Sequence, residues 1–217
     1  RDFGPSEMVK RNYIFDTIKV VFKKYGFLPL ETPSMEQLST LMGKYGEEGD
    51  KLIFKILNSG NYLDGVDETA YSNKDVKKLT LGISEKALRY DLTVPFARFV
   101  VMHQHELAFP FRRYQIQPVW RADKPQKGRY RQFCQLGVET FGMEGSDVEA
   151  ELLLMCAELW HRLGFAQHVQ LELNNIGSSA DRVAFGKALH NFLLPLKDQL
   201  DDDSQRRLDS NVLRILD

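Results

Sequence analysis

Two runs decide the fold: Phe111-Arg112-Arg113-Tyr114-Gln115-Ile116-Gln117-Pro118-Val119-Trp120-Arg121, then Arg131-Gln132-Phe133-Cys134-Gln135-Leu136-Gly137-Val138-Glu139-Thr140-Phe141. Aromatic and β-branched residues recur in both, and a polar stretch joins them, so the pattern predicts an antiparallel strand pair. Successive side chains of a strand point to opposite faces. In the second run Gln132, Cys134, Leu136, Val138 and Thr140 make the more apolar face, the one expected to meet a core. Arg131, Phe133, Gln135, Gly137 and Glu139 share the other: a cation, an aromatic plate, an amide, a gap and a carboxylate. In the first run Arg113, Gln115, Gln117, Val119 and Arg121 fall together. A solvated sheet face would account for the polar residues alone. Phe133 and Gly137 among them favour a binding surface, because a glycine inside a strand weakens it unless something must approach closely.

The connection between the runs is Ala122-Asp123-Lys124-Pro125-Gln126-Lys127-Gly128-Arg129-Tyr130. From Arg121 to Arg131 there are five basic residues and one acid, whereas the whole chain balances 29 Lys+Arg against 30 Asp+Glu for a net charge of −1. A bulk basic nucleic-acid binder is thereby excluded. A near-neutral chain that concentrates cations in one loop is suited to address phosphates there.

Outward from this pair, residues 6–25 predict a helix capped by Ser6, with Ile14, Ile18, Val21, Phe22 and Tyr25 on one face and Gly26 as its stop. Residues 27–32 read as a strand closed by Pro33, 36–44 as a helix, 51–57 as a strand and 58–78 as a long polar loop. Residues 88–92 read as a strand, followed by a helix from Thr93, the expected cap, to about His105. Residues 146–163 predict a helix with a Ser146/Glu149 capping box, and 168–173 alternate as a half-buried strand. Beyond Ser178 the pattern is helical, over 181–196 and again from Asp201, so a boundary is set at 177/178.

With 43% hydrophobic and 27% charged residues in 217, a packed core is expected. Cys134 and Cys156 have neither metal-ligand nor disulfide spacing, and the five histidines show no shared-ligand pattern, so no metal site is expected. No apolar run approaches the roughly 20 residues of a membrane span, and the opening residues do not resemble a signal peptide. A cytoplasmic protein without a membrane partner is the expectation.

The stretch from Tyr114 to Phe133, with its Pro-Gln-Lys-Gly-Arg-Tyr-Arg-Gln-Phe run, resembles motif 2 of class II aminoacyl-tRNA synthetases. With Gln135 and Glu139 it looks like the histidyl branch. Leu88-Arg89-Tyr90-Asp91-Leu92-Thr93 resembles that branch's histidine-binding strand, in a form suggesting a eukaryotic-type subgroup, and Arg1-Asp2-Phe3-Gly4-Pro5 its entry. Gly26 to Pro33 resembles motif 1, whose proline ends a strand at the dimer interface. Asn174-Asn175-Ile176-Gly177-Ser178 looks like the junction to the family's helical insertion.

The resemblance implies an α+β fold, a class II aminoacyl-tRNA synthetase-like, mainly antiparallel sheet flanked by helices and truncated before motif 3. Residues 1–177 would be the catalytic core, with motifs 1 and 2, and 178–217 the start of the helical insertion. It implies a histidine–tRNA ligase using ATP with magnesium, histidine and tRNA(His), and a homodimer formed through motif 1. Arg121 would hold the ATP α-phosphate as the catalytic cation, Asp123 and Arg129 the remaining phosphates, their magnesium and the adenosine, and Phe133 would stack on adenine. Glu139 would bind the imidazole, while Asp91, Thr93 and Gln135 would bind the α-amino group. Lys124 and Lys127 would face the acceptor stem. Motif 3, a later histidine-specific motif and an anticodon-binding domain would lie beyond residue 217, so residues 1–217 alone are not expected to complete a cycle. The fold is shared with a synthetase-like regulatory subunit of ATP phosphoribosyltransferase, whose motif 2 loop should be degraded, and with synthetase-like RNA sensors, which need not keep an amino-acid pocket. The intact loop cations and the Asp91, Gln135 and Glu139 set argue for the ligase.

Overall fold

The structure, a computed structural model, describes residues 1–124, 126–173 and 177–216. Contacts divide the chain into two compact units, Arg1–Val169 and Gln170–Asp217.

The first unit opens with helix α1 (Pro5–Lys24). It starts one residue before the expected cap. Pro5 takes the first helical position, where no amide hydrogen is needed, and Glu7 Oε2 accepts from the Gly4 amide at 3.4 Å. Ile18, Val21 and Phe22 form its buried stripe, whereas Ile14 is exposed. Gly26 adopts φ +77°, a conformation open to glycine, and turns the chain into the sheet.

Strand β1 is only Leu28–Pro29 and pairs parallel with β5 (Phe111–Trp120), which pairs antiparallel with β6 (Gln132–Phe141) along its full length. The sheet is therefore mixed, in the order β1-β5-β6. Its even face carries Tyr114, Ile116 and Val138 onto Ile18, Val21, Phe22 and Phe27 and onto Met155 of helix α7 (Ser146–Arg162). Burying each such large side chain contributes about 1.5–3 kcal/mol, which anchors α1 and α7 to one side of the sheet. The even face is not apolar core throughout, as alternation predicted. Gln132 and Leu136 are exposed, and the most deeply buried polar residues of β5 are Arg113 and Gln115, on the opposite face.

A second sheet of β2 (Met35–Gln37), β4 (Lys86–Leu88) and β3 (Lys55–Ile56) is antiparallel, in the order β2-β4-β3. Its core is Leu38, Leu41, Ile53 and Ala87, with Tyr45, Tyr90 and Val94 against it. Several local expectations change here. Residues 35–37 form a strand rather than helix, because Glu36 is buried against Arg98 in two 2.8 Å hydrogen bonds; helix α2 begins only at Leu38 (Leu38–Leu41). Helix α3 (Gly46–Leu52) takes the first two residues of the stretch 51–57 read as a strand, of which only Lys55–Ile56 pairs as β3. The expected loop over 58–78 folds into a 3-10 turn (Tyr62–Gly65), helix α4 (Glu68–Ser72) and the start of α5 (Val76–Ile83). Asp67 and Asp75 cap these helices by accepting from the amides of Ala70 and Lys78, signals outweighed in the sequence by nearby Asn and Gly.

Helix α6 (Thr93–His103) follows β4, and the two sheets are joined by Arg89, whose side chain is wholly buried. Its Nε donates to the Pro118 carbonyl at 2.8 Å and its Nη1 to the Thr32 carbonyl at 2.6 Å. Helix α7 starts from Gly145 without the expected capping box. Residues 168–173 alternate but form no strand: among the described residues no neighbouring strand pairs with them. The junction at Asn174, Asn175 and Ile176 lies outside the described residues.

In the second unit Ser178 and Asp181 form a capping box for helix α8 (Ser179–Leu193), and Asp201 caps α9 (Asp202–Ser210).

Candidate active site

The β5–β6 register sets Arg113 opposite Glu139, Gln115 opposite Gly137, Gln117 opposite Gln135 and Val119 opposite Phe133. Cross-strand partners share a face, so the odd residues of both runs form one surface. Arg113 is fully buried, and its Nη2 lies 2.8 Å from Glu139 Oε1. Its guanidinium sits 4.3 Å over the Phe96 ring and donates longer bonds, 3.4 Å each, to the carbonyls of Gly137 and Leu92. A Cβ on Gly137 would stand 3.4 Å from Arg113 Nη1. The protein's own arginine thus lies against the glycine. Burial works against the Arg113 charge and Glu139 opposes that effect.

Asp91, just before α6, accepts from the Val94 amide at 3.1 Å and from the Tyr45 hydroxyl at 3.0 Å, both on Oδ1. Asp91 therefore caps the helix, in place of Thr93. Thr93 is left free to donate its hydroxyl to Glu139 Oε1 at 2.9 Å. Burial first, and then the Asp91 carboxylate, hold the Tyr45 phenol protonated far above its usual range.

Around Arg121 the aromatic residues form a stack. Tyr45 and Tyr90 ring centroids are 4.5 Å apart, and the Arg121 guanidinium lies 4.3 Å from the Tyr90 ring and 5.2 Å from the Phe133 ring. Arg121 Nε donates to the Tyr90 carbonyl at 3.2 Å. These contacts fix the plane of a cation next to an aromatic plate.

Gln117 and Gln135 face each other and behave differently. Gln117 is consumed by structure: its Oε1 accepts from Gln115 Nε2 (2.8 Å) and the Thr32 amide (3.1 Å), and its Nε2 donates to the Thr32 carbonyl (3.2 Å). Gln135 Oε1 is buried and accepts no hydrogen bond. An unpaired buried acceptor costs on the order of 1–3 kcal/mol, so this oxygen is suited to a donor on a ligand.

In the loop, Arg129 Nη1 is 3.8 Å from Asp123 Oδ1, and Arg131 Nε donates to the Asp123 carbonyl at 3.1 Å. Lys124 and Lys127 are exposed. Pro125 lies outside the described residues. Among the described residues no three His, Cys, Asp or Glu side chains cluster as metal ligands. A cavity of about 530 Å³, lined by Phe3, Arg11, Pro118, Gln132, Phe133 and Cys134, adjoins the site at Phe133 and does not include Asp91, Arg113 or Glu139.

The structure pairs Thr93 with Glu139 and Arg121 with Phe133 by direct contact, links Asp91 to Arg121 through Tyr45 and Tyr90, and sets Gln135 on the strand face between Phe133 and Glu139. Asp123, Lys124, Lys127 and Arg129 lie on the adjoining loop. Sequence reasoning missed Tyr45, which sits in a glycine-marked turn and meets Asp91 only through the second sheet, and Arg113, recognised as a face residue but not as the partner of Glu139.

A sequence profile described as histidyl-tRNA synthetase matches residues 62–180, more than half of the chain. A histidine–tRNA ligase of Christiangramia forsetii is 58% identical over 175 residues, covering 81% of this chain and 38% of that protein. A histidine–tRNA ligase of Flavobacterium johnsoniae is 48% identical over 222 residues, covering 93% of this chain and 46% of its own length. The chain thus spans less than half of these relatives. The apo S. aureus histidyl-tRNA synthetase structure superimposes with a TM-score of 0.63 at 24% identity, covering 99% of this chain and 46% of that one, a likeness of fold. These relatives are bacterial, so the eukaryotic-type subgroup expected from residues 89–93 is not supported. No helix among the described residues is long and apolar enough to cross a membrane.

Proposed function

The chain belongs to the histidyl-tRNA synthetase family, and from that premise we propose that it carries the histidine and ATP sites of a histidine–tRNA ligase. One observation supports this most: Glu139, Thr93 and Asp91 converge on one face of β5–β6, beside an arginine braced between two aromatic rings. That constellation offers carboxylates for an imidazole N–H and an α-ammonium, and a cation for a phosphate.

In this reading the histidine carboxylate attacks the α-phosphorus of ATP, and pyrophosphate leaves. The terminal ribose hydroxyl of tRNA(His) then attacks the aminoacyl carbonyl, and AMP leaves. Arg121 neutralises the charge that builds on the α-phosphate, held in position by Tyr90 before substrate arrives. Phe133 stacks on adenine. Asp91 Oδ1 is engaged by Tyr45 and Val94, which leaves Oδ2 for the α-ammonium group. Gln135 Oε1 supplies a second acceptor for that group. Arg129 and Asp123 meet the outer phosphates and adenosine, and Asp123 would help hold magnesium, which would neutralise phosphate charge when the nucleotide is bound. Lys124 and Lys127 contact the acceptor stem through phosphates. Catalysis by positioning and charge neutralisation needs no protein nucleophile.

Residues 1–177 would serve as catalytic core and 178–217 as the start of a helical insertion. A homodimer through α1 and β1 is supported by an outward apolar row, Val9, Tyr13 and Val20, together with Leu28, all exposed. The setting would be the cytoplasm, in keeping with the two free cysteines. The regulatory-subunit alternative is disfavoured by the intact basic loop.

The reading is tested by histidine-dependent ATP–pyrophosphate exchange in the full-length protein. Exchange should occur with histidine and be abolished by Glu139→Ala. Exchange driven equally by other amino acids, or surviving the substitution, would overturn it.

A further inference from the structure

Resting on that reading, we propose that Arg113 is the specificity-determining positioning residue of the histidine site. By pairing with Glu139 it makes the pocket select the neutral imidazole and presents a single carboxylate oxygen, Oε2, to the ring N–H. The argument starts from Glu139, whose side chain is about a quarter exposed and whose Oε1 is already occupied twice, by Arg113 Nη2 at 2.8 Å and Thr93 Oγ1 at 2.9 Å. Only Oε2 remains for a ligand.

A lone, half-buried carboxylate would draw an imidazolium in preference to a neutral ring. Arg113 cancels that preference. It is wholly buried, stacked on Phe96 from α6 and held by the Leu92 and Gly137 carbonyls, so its charge cannot swing away to solvent. An imidazolium would meet a carboxylate whose charge Arg113 already balances, so the attraction left at Oε2 is too weak to offset the cost of taking the ring's own charge out of water. The other charged groups nearby do not restore the preference. Asp91, ahead of α6, is held by Tyr45 from the turn before α3 and serves the α-ammonium group in the proposed mode. Arg121, at the end of β5, is a further cation, separated by its stacking on Tyr90. Thr93, the remaining direct contact, does not titrate.

The sign of the pH dependence follows. If the neutral ring binds, affinity for histidine is full above the side-chain pKa of about 6.5 and falls by about tenfold per unit below it. If the imidazolium binds, affinity rises as pH falls through the same range.

The test is a calorimetric titration of the full-length protein with L-histidine between pH 5.5 and 8.5, for the wild type and for Arg113→Met, Arg113→Lys and Glu139→Gln. The wild type should lose affinity toward pH 5.5. Arg113→Met should bind at least tenfold more weakly at pH 8 and reverse the slope, binding better in acid. Arg113→Lys, which keeps the charge, should retain the wild-type slope. Wild-type affinity that rises toward pH 5.5 overturns the proposal without any variant, as does Arg113→Met weakened by the same factor at every pH, the signature of a merely structural role. If Arg113→Met does not fold, the wild-type and Arg113→Lys slopes decide. Failure of the underlying reading is distinguishable: the wild type would not bind histidine, or Glu139→Gln would bind it undiminished.

Discussion

Arg113 and Glu139 face each other across β5 and β6, with Nη2 2.8 Å from Oε1 and the arginine side chain removed from solvent. Their pairing ties the candidate specificity carboxylate to the stability of the sheet. Removing one partner of a buried pair leaves a charge without compensation, costing about 3 kcal/mol even with the Leu92 and Gly137 carbonyls still in place. Thermal unfolding of Glu139→Ala should therefore begin several degrees lower, whereas Glu139→Gln should lose less because an acceptor remains. An unaltered Tm for Glu139→Ala would mean that Arg113 finds other partners.

Tyr45 donates to Asp91 from the turn that leads into α3, so its hydroxyl orients a proposed ligand carboxylate without lining the β5–β6 face. Tyr45→Phe keeps the ring on Tyr90 and deletes the donor. Histidine affinity should drop by about 1 kcal/mol, roughly fivefold, with little change in the KM for ATP. A loss confined to ATP would place Tyr45 behind Arg121 instead, through the Tyr90 stack.

Lys124 and Lys127 project from the loop between β5 and β6. If they meet backbone phosphates, the double alanine variant should bind tRNA more weakly and flatten the plot of log affinity against log salt by about one to two units of slope. Exchange with small substrates should be nearly unaffected. A preserved salt slope would remove both lysines from the RNA contact.

Gly65 and Gly82 meet backbone to backbone. A Cβ built on Gly82 would lie 2.1 Å from the Gly65 carbonyl oxygen, and the converse distance is also 2.1 Å. Gly82→Ala must push the 3-10 turn away from α5, at a cost of about 1–3 kcal/mol. The expected result is a lowered urea midpoint; an unchanged midpoint would show that the turn shifts without penalty.

The β5–β6 pair was legible in the sequence because strand geometry forces alternate residues apart. Once the two runs were recognised, the composition of each face followed from spacing alone, including Phe133, Gln135 and Glu139 on one side. The α1 and α7 helices were legible for the same kind of reason, a helical period with glycine stops. Residues 36–37, the first part of 51–57, and 58–78 were misread because their conformation is set by partners distant in the chain or by caps that compete with turn formers. Glu36 becomes a strand residue through Arg98, and Asp67 and Asp75 turn an apparent loop into helix.

The sequence by itself determined which chemical groups share the odd face of the pair, since that depends only on local backbone geometry. Only the tertiary structure decided which of them remain available to a ligand. Arg113 lies against Gly137 and neutralises Glu139, Gln117 is spent on Thr32, Asp91 displaces Thr93 from the helix cap, and Tyr45 arrives from the turn before α3. Each of those outcomes is a competition for hydrogen bonds among groups far apart in the chain, and burial determines who wins it.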